Sequence, residues 1–264
     1  MAAPAVSVLM GVRDGAAWIS RAIGSLLAQT LDDLELIVVD DGSTDATAGL
    51  LSGVRDPRLV VERQARAGLA AALNRALGHA RAPLIARLDV DDIALPARLE
   101  RQRAFLQAHP EVGLLGTAAR VVDESGRDVE IIRPPEDDRA IRRALIRRNP
   151  FVHSSVMLRR ALVASVGGYD VSFVVAQDYD LWLRLSAITR MANLAEPLVI
   201  RHLVSGRVTA SREDERLRAE ARARWRAVRA GAYPPWGALF ALRPLLALAL
   251  PGSLRAPLRR ALGR

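Results

Sequence analysis

Asp89, Asp91 and Asp92 place three carboxylates within four positions, directly after the apolar run that ends "PLIARLD". Like charges this close oppose one another's ionisation unless something positive sits among them. Carboxylate oxygens suit a hard divalent cation, magnesium or manganese. Such an ion keeps several waters and takes one or two protein carboxylates, which leaves room for a substrate diphosphate. On this stretch alone a solvated acidic loop before the helix near Leu95 is an equal reading. A calcium loop is not, because the later glycine and glutamate are missing. A second acidic pair, Asp40 and Asp41, opens "DDGSTD". An acid at a strand tip followed by Gly-Ser-Thr can bind a ribose or a base edge, with Ser43 or Thr44 capping the next helix; a plain strand-to-helix turn reads the same way. Asp178 begins the helical pattern "QDYDLWLRLSAI", where the helix dipole favours an ionised carboxylate and where it could also serve only as a cap. His153 in "NPFVHSS" could donate to an acceptor or a diphosphate, or simply be held by the neighbouring hydroxyls.

Something must bring these distant residues together. The first hundred residues alternate short continuous apolar runs ("AVSVLM", "LELIVVD", "RLVVE", "PLIARLD") with helical patterns such as Ala17 to Gln29 and "GLAAALNRALGHA". Such alternation predicts a parallel sheet covered by helices on both faces, and unbroken apolar strands agree with burial on both sides. Ligands bind beyond the carboxyl ends of strands in these sheets, and both acidic groups fall there. Further on, the sequence predicts a helix over Ala97 to Gln107 and a hairpin with a Ser-Gly turn in "VGLLGTAARVVDESGRDVE". It also predicts an amphipathic helix in "EDDRAIRRALIRR", a strand in "SSVMLRR", a short helix in "ALVASVGG" and a final strand in "LAEPLVIRHL". In "QDYDLWLRLSAI" Leu181, Leu185 and Ile188 share the inward face, and Trp182 reads as core.

The composition narrows the function classes. The chain has 264 residues and no cysteine, which removes disulfides, thiolate metal sites and cysteine nucleophiles together. All 38 basic residues are arginine. From Ser211 onward twelve arginines face four acids, so +8 of the net +9 lies in the tail and the body is near neutral. A near-neutral body argues against nucleic acid as a partner. No signal peptide is expected from the first ten residues.

The ordered set "VSVLMGVRDGAAWISRAIGSLLAQTLDDLELIVVDDGSTDAT", "GLAAALNRAL", "IARLDVDDIALPARLERQ", "NPFVHSSVMLRR", "GGYD" and "QDYDLWLRL" resembles glycosyltransferase family 2 over about residues 4–201. The resemblance implies a GT-A fold and inverting sugar transfer from a nucleotide-sugar donor to a glycan or lipid-linked acceptor in cell-envelope polysaccharide synthesis. It places Asp40 at the nucleobase with Asp41 beside it. It makes Asp89 and Asp91 the two acids of the D-x-D signature, the first towards ribose and the second on Mn2+ or Mg2+. Asp92 then lies near the donor sugar and Asp178 is the catalytic base, while Arg66 and Asn74 line the donor side. The chain departs from the family pattern at Gly11-Val12-Arg13-Asp14, where an aromatic residue is usual, and at Gln177, where an acid is usual. The segment "ERQARAGL" also differs from the family's shorter form.

The expected organisation is a domain over residues 1–210, with a nucleotide-sugar half to about 95 and an acceptor half to 210, followed by a basic helical tail over 211–264. The tail pairs a predicted helix, "SREDERLRAEARARWRAVRAG", with a Trp-Tyr pair, a short apolar segment and a terminal arginine cluster. That combination suits an anionic membrane surface, giving a cytoplasmic protein peripheral at the inner face of the plasma membrane. A tail packed on the domain or in a dimer contact is the alternative. Two other functions stay open: a sugar nucleotidyltransferase, and a catalytically silent relative that binds a nucleotide sugar.

Overall fold

The computed structural model describes residues 3–203 and 212–248. The alternation expected from the sequence is present. Strands β1 (Val6–Val12), β2 (Leu34–Asp41), β3 (Leu59–Gln64) and β4 (Leu84–Arg87) are separated by helices α1 (Ile19–Leu27), α2 (Thr47–Gly53) and α3 (Leu69–His79). β1 pairs in parallel with β2 and β4, and β2 with β3. Then follow β5 (Ile93–Ala94), α4 (Arg98–Ala108), the hairpin β6 (Val112–Val122) and β7 (Asp128–Ile132), α5 (Asp138–Leu145), β8 (Met157–Arg159), α6 (Arg160–Ser165), α7 (Gln177–Leu185) and β9 (Arg190–His202). The strands form one sheet in the order β3-β2-β1-β4-β8-β6-β9-β5, with β7 beside β6. β8 joins the two halves by pairing antiparallel with both β4 and β6. The sheet is therefore parallel in its first half and mixed in its second.

Alternate residues of the central strands feed two core layers. Leu9, Ile37 and Val39 face α3, α5 and α7, whereas Val8, Met10 and Val38 face α1 and α4. α3 packs closely over Gly11, where a Cβ would lie 2.8 Å from Leu69 Cδ1 and 3.2 Å from Ala72 Cβ.

Two local expectations are corrected. Ser43 and Thr44 do not cap α2. Ser43 Oγ accepts the Asp14 N–H at 3.0 Å and the Thr44 N–H donates to Asp14 Oδ1 at 2.8 Å, so these residues lace the β1–α1 loop to the β2–α2 loop. The turn before α2 is made by Asp45, whose Oδ1 accepts from Thr47 N at 3.0 Å. Ile188 lies beyond the end of α7 and is 50% exposed, while Leu181 and Leu185 are buried as expected.

The helix expected at the start of the basic tail forms as α8 (Glu213–Arg229), followed by α9 (Ala238–Leu248). α8 docks on the body: Ala223, Ala227 and Tyr233 join the core layer that contains α7. Arg224 is fully buried and donates to Tyr179 Oη at 2.8 Å and to the Arg147 carbonyl at 2.9 Å. The terminal arginine cluster and the end of the apolar segment lie outside the described residues.

Candidate active site

The parallel half of the sheet ends its strands along one edge, and the acids stand there. Asp40, at the tip of β2, is buried; its Oδ1 accepts the Ser43 N–H at 2.9 Å, and its Oδ2 lies 3.4 Å from Arg63 Nε. Asp41 holds a loop. Its Oδ1 accepts from Gln64 Nε2 and Ala67 N, both at 2.7 Å, and its Oδ2 from Gly68 N at 2.8 Å, fixing the entry to α3. That loop crosses so closely over Gly42, which has φ +70°, that a Cβ would sit 3.0 Å from the Arg66 nitrogen. Arg66 itself is exposed on the rim. The Asn74 amide clamps the Tyr169 backbone through Nδ2–O at 2.7 Å and Oδ1–N at 2.8 Å.

Asp89, Asp91 and Asp92 each offer an oxygen, and the three oxygens lie within 4.8 Å of one another. Positive charge already stands among them: Arg87, fully buried at the end of β4, pairs with Asp89 and donates to Ser154 Oγ at 3.2 Å. Burial works against ionisation of Asp89, but the Arg87 guanidinium overcomes it and holds the carboxyl well below the usual range. Asp92 is compensated less, with Arg201 Nε 4.0 Å away. Burial, then the charges of Asp89 and Asp91, push its pKa up to about 7. A second buried arginine, Arg98, supports Arg87 by donating to its carbonyl at 2.8 Å; burial and the Arg87 charge bring its pKa down to about 9.

Ser154 ties the cluster together. Its hydroxyl oxygen accepts from Arg87 and from the Asp89 N–H at 3.1 Å, and its one proton faces both Asp89 Oδ2, at 2.9 Å, and Asp92 Oδ2. His202 joins from the far side. β5 and β9 run antiparallel with Ile93 opposite Ile200, which sets His202 opposite Asp91. Its Nδ1 lies 2.7 Å from the Asp91 carbonyl, an atom that only accepts, so Nδ1 carries a proton. Three carboxylates with an excess of negative charge fit a hard divalent cation.

Asp178 enters the same neighbourhood from α7. The residue before the helix, Ala176, has φ +58°, and Asp178 Oδ2 accepts from Asn149 Nδ2 at 2.7 Å. Asn149 Oδ1 is taken by the Phe151 N–H at 3.1 Å, so its amino group is the part that must face Asp178. Burial raises the Asp178 pKa above the usual value; the Tyr179 N–H, the Asn149 amide and the Arg87 charge oppose that rise, and Asp89 adds to it. Asp178 and the metal-type cluster thus act on each other electrostatically. His153 donates to or accepts from Tyr169 Oη at 3.0 Å and stacks edge-on to Trp182. Burial first, then Arg87, lower its pKa well below 6.5, so its ring is neutral at pH 7.

Asn149 offers a direct check. Asn149→Ala removes a donor that favours the ionised carboxylate, so the Asp178 pKa rises. Carboxyl NMR titration of the variant should show the shift upward, and an unmoved titration would separate the two residues.

Sequence reasoning missed Arg87 as the internal counter-charge, Ser154, Asn149 and His202. The one available signal was position: His202 ends the last strand at the edge where the acids stand.

The family model for Glycosyl transferase family 2 matches residues 7–167. AmsE, the amylovoran biosynthesis glycosyltransferase of Erwinia amylovora, is 34% identical over 69% of this chain and 69% of its own length. The O-antigen biosynthesis glycosyltransferase WbnJ of Escherichia coli is 31% identical over 68% of this chain and 71% of its own. EpsE of Bacillus subtilis is 35% identical over 69% of this chain. This chain spans 66% of EpsE, about two thirds of its length. Among solved structures, S. aureus TarS in complex with UDP-GlcNAc superposes with a TM-score of 0.69 at 21% identity, over 83% of this chain and 66% of that one. A mannosyltransferase from Pyrobaculum calidifontis, in complex with GDP-Man and Mn2+, gives 0.64 at 24% identity, over 100% and 80%. Both likenesses are of fold, and they bear out the α/β architecture of the GT-A type. On its motifs, its matched residues and its relatives, the chain belongs to glycosyl transferase family 2.

Proposed function

We propose that the protein is a metal-dependent inverting glycosyltransferase that moves a sugar from a nucleoside-diphosphate donor to a glycan or lipid-linked acceptor of an envelope polysaccharide. The observation that carries this reading is the meeting, at one sheet edge, of an acid cluster fit for a divalent cation with a separate half-buried carboxylate at a helix start. The relatives' polysaccharide roles and the nucleotide-sugar complexes of the structural neighbours support it.

In this reading Asp40, with Arg63 beside it, receives the base edge, and Asp41 shapes the pocket by fixing the loop that carries Arg66. Asp89 faces the ribose, Asp91 with Asp89 would hold Mn2+ or Mg2+, and Asp92 borders the donor sugar. The ion supplies charge neutralisation for the departing diphosphate. Asp178, steered by Asn149, takes the proton from the acceptor hydroxyl as that oxygen attacks the anomeric carbon from the face opposite the diphosphate. One C–O bond forms, one breaks, and the anomeric configuration inverts. Neutral His153 lies on the same side and can donate to the acceptor or the diphosphate. No helix among the described residues is long and apolar enough to cross a membrane, and the basic tail supports placement at the inner membrane surface.

Thermal melting with UDP, GDP and dTDP, each with and without manganese, tests the donor site. One diphosphate should raise the melting temperature only with the metal, and Asp91→Ala should erase that rise, because only a ligand that prefers the native state stabilises it. Stabilisation that survives both chelation and Asp91→Ala would refute the metal role. Incubation with the matching sugar donors should release nucleoside diphosphate; release of pyrophosphate instead would mark a nucleotidyltransferase.

A further inference from the structure

The two tail helices leave an apolar face uncovered. Leu239, Leu242, Leu245 and Leu246 of α9 are 65%, 48%, 46% and 68% exposed, and Trp236, one turn earlier, is 59% exposed. Leu239, Leu242 and Leu246 follow i, i+3, i+7 spacing and share one face, while Ala241 and Pro244 are buried on the other. On α8 the spacing of Arg218, Trp225 and Arg229 puts two guanidinium groups in one stripe with an indole that is 48% exposed, while Arg222 turns to Asp170, 3.8 Å away, and lies over the Phe173 ring. Arg218, Arg229 and Arg243 form no ion pair among the described residues.

We infer that this α8–α9 face docks on an anionic lipid bilayer, with Trp236 and the α9 leucines at the headgroup–acyl boundary and the arginines at the lipid phosphates. α9 has 11 residues, a length of about 16 Å, against the ~30 Å of a hydrocarbon core, so it lies on the bilayer and does not cross it. Leucine and tryptophan beside arginine are what the boundary region selects. Charge complementarity decides between occupants. A second copy seated on this face by two-fold symmetry would set arginine stripe against arginine stripe. Residues 249–264 carry four arginines and no acid, so laying that segment here would add cations to cations. A phosphate-bearing surface pairs with all of them.

The docked face is rigidly joined to the base. Arg224, on the inner side of α8, bonds Tyr179, the neighbour of Asp178, and Arg226 pairs with Asp170 at 2.6 Å in the loop before α7. A bilayer held against α8 and α9 thus lies one helix layer from Asp178, which suits an acceptor carried on a lipid. This deepens the peripheral placement proposed above and rests on it. The vesicles in the test carry neither donor nor acceptor, so their result is independent of whether the protein transfers sugar.

The test is co-sedimentation of the full chain with vesicles of phosphatidylcholine alone or mixed with phosphatidylglycerol, with tryptophan emission read in parallel. Binding should be at least ~tenfold stronger with phosphatidylglycerol, fall away at high salt, and shift the tryptophan emission to the blue. Leu242→Asp with Leu246→Asp should lower binding by about tenfold while leaving the melting temperature unchanged, since both positions are exposed. Equal recovery in the supernatant with both lipids, or full binding by the double variant, would overturn the inference. So would a parent dimer that the double variant converts to monomer, which would make a second copy the occupant.

Discussion

Asp178→Asn should abolish sugar transfer while making the protein more stable. The amide keeps the shape of the carboxylate but cannot take the acceptor's proton, so turnover should fall by roughly 10²–10⁴-fold with donor binding intact. The stability effect follows from the burial that raises the Asp178 pKa above its ordinary 3.8. Between those two values the folded protein holds a proton that the unfolded chain has released. Native stability therefore falls as pH climbs through that window, and at neutral pH the poorly solvated charge is a standing cost. An uncharged side chain removes the cost, and a gain of about 1 kcal/mol corresponds to roughly 2–4 °C in a protein of this size. Melting curves of parent and variant at pH 4 and pH 7 check it: the gap between them should open as pH rises. A variant that transfers sugar at the parental rate would remove Asp178 from the base position.

Arg87→Met should produce the largest loss of stability among the site substitutions. The guanidinium is buried beneath Asp89, Ser154 and the strand ends, and its removal strands a carboxylate next to two others. Breaking a fully buried pair costs about 3–5 kcal/mol. Asp89 keeps 37% of its side-chain surface, so water recovers part of that and the expected cost is about 2–3 kcal/mol. That amounts to a melting temperature lower by roughly 5–10 °C. Manganese should restore part of the loss in Arg87→Met, because added positive charge at the cluster replaces what was removed. A variant that melts with the parent, or one that manganese fails to rescue, would show that Arg87 is not the counter-charge of the cluster.

Much of this was readable in the chain, for physical reasons. Strands buried on both faces appear as unbroken apolar runs, and "LELIVVDD" reports at once a central strand and the acids at its tip. The clustering of Asp89, Asp91 and Asp92 is likewise a local property of four residues. What stayed hidden depends on contacts across long stretches of chain. The amide of Asn74 clamps the backbone of Tyr169, 95 positions away. His202 meets Asp91 only because β5, two residues long and without any propensity signal, fixes the register against β9. Arg87 in "LIAR" looks like a strand end leaving the sheet; it turns inward because Asp89 and Ser154 are there to receive it.

The anchoring of Arg224 has a practical corollary for anyone trimming the molecule. A piece cut at residue 210 would strip the lid from Tyr179 and bare the apolar seats of Ala223, Ala227 and Tyr233, right behind the helix that carries Asp178. The arginine-rich end of this chain is thus a buttress for the reaction centre, and a shortened fragment would lose its shape there first.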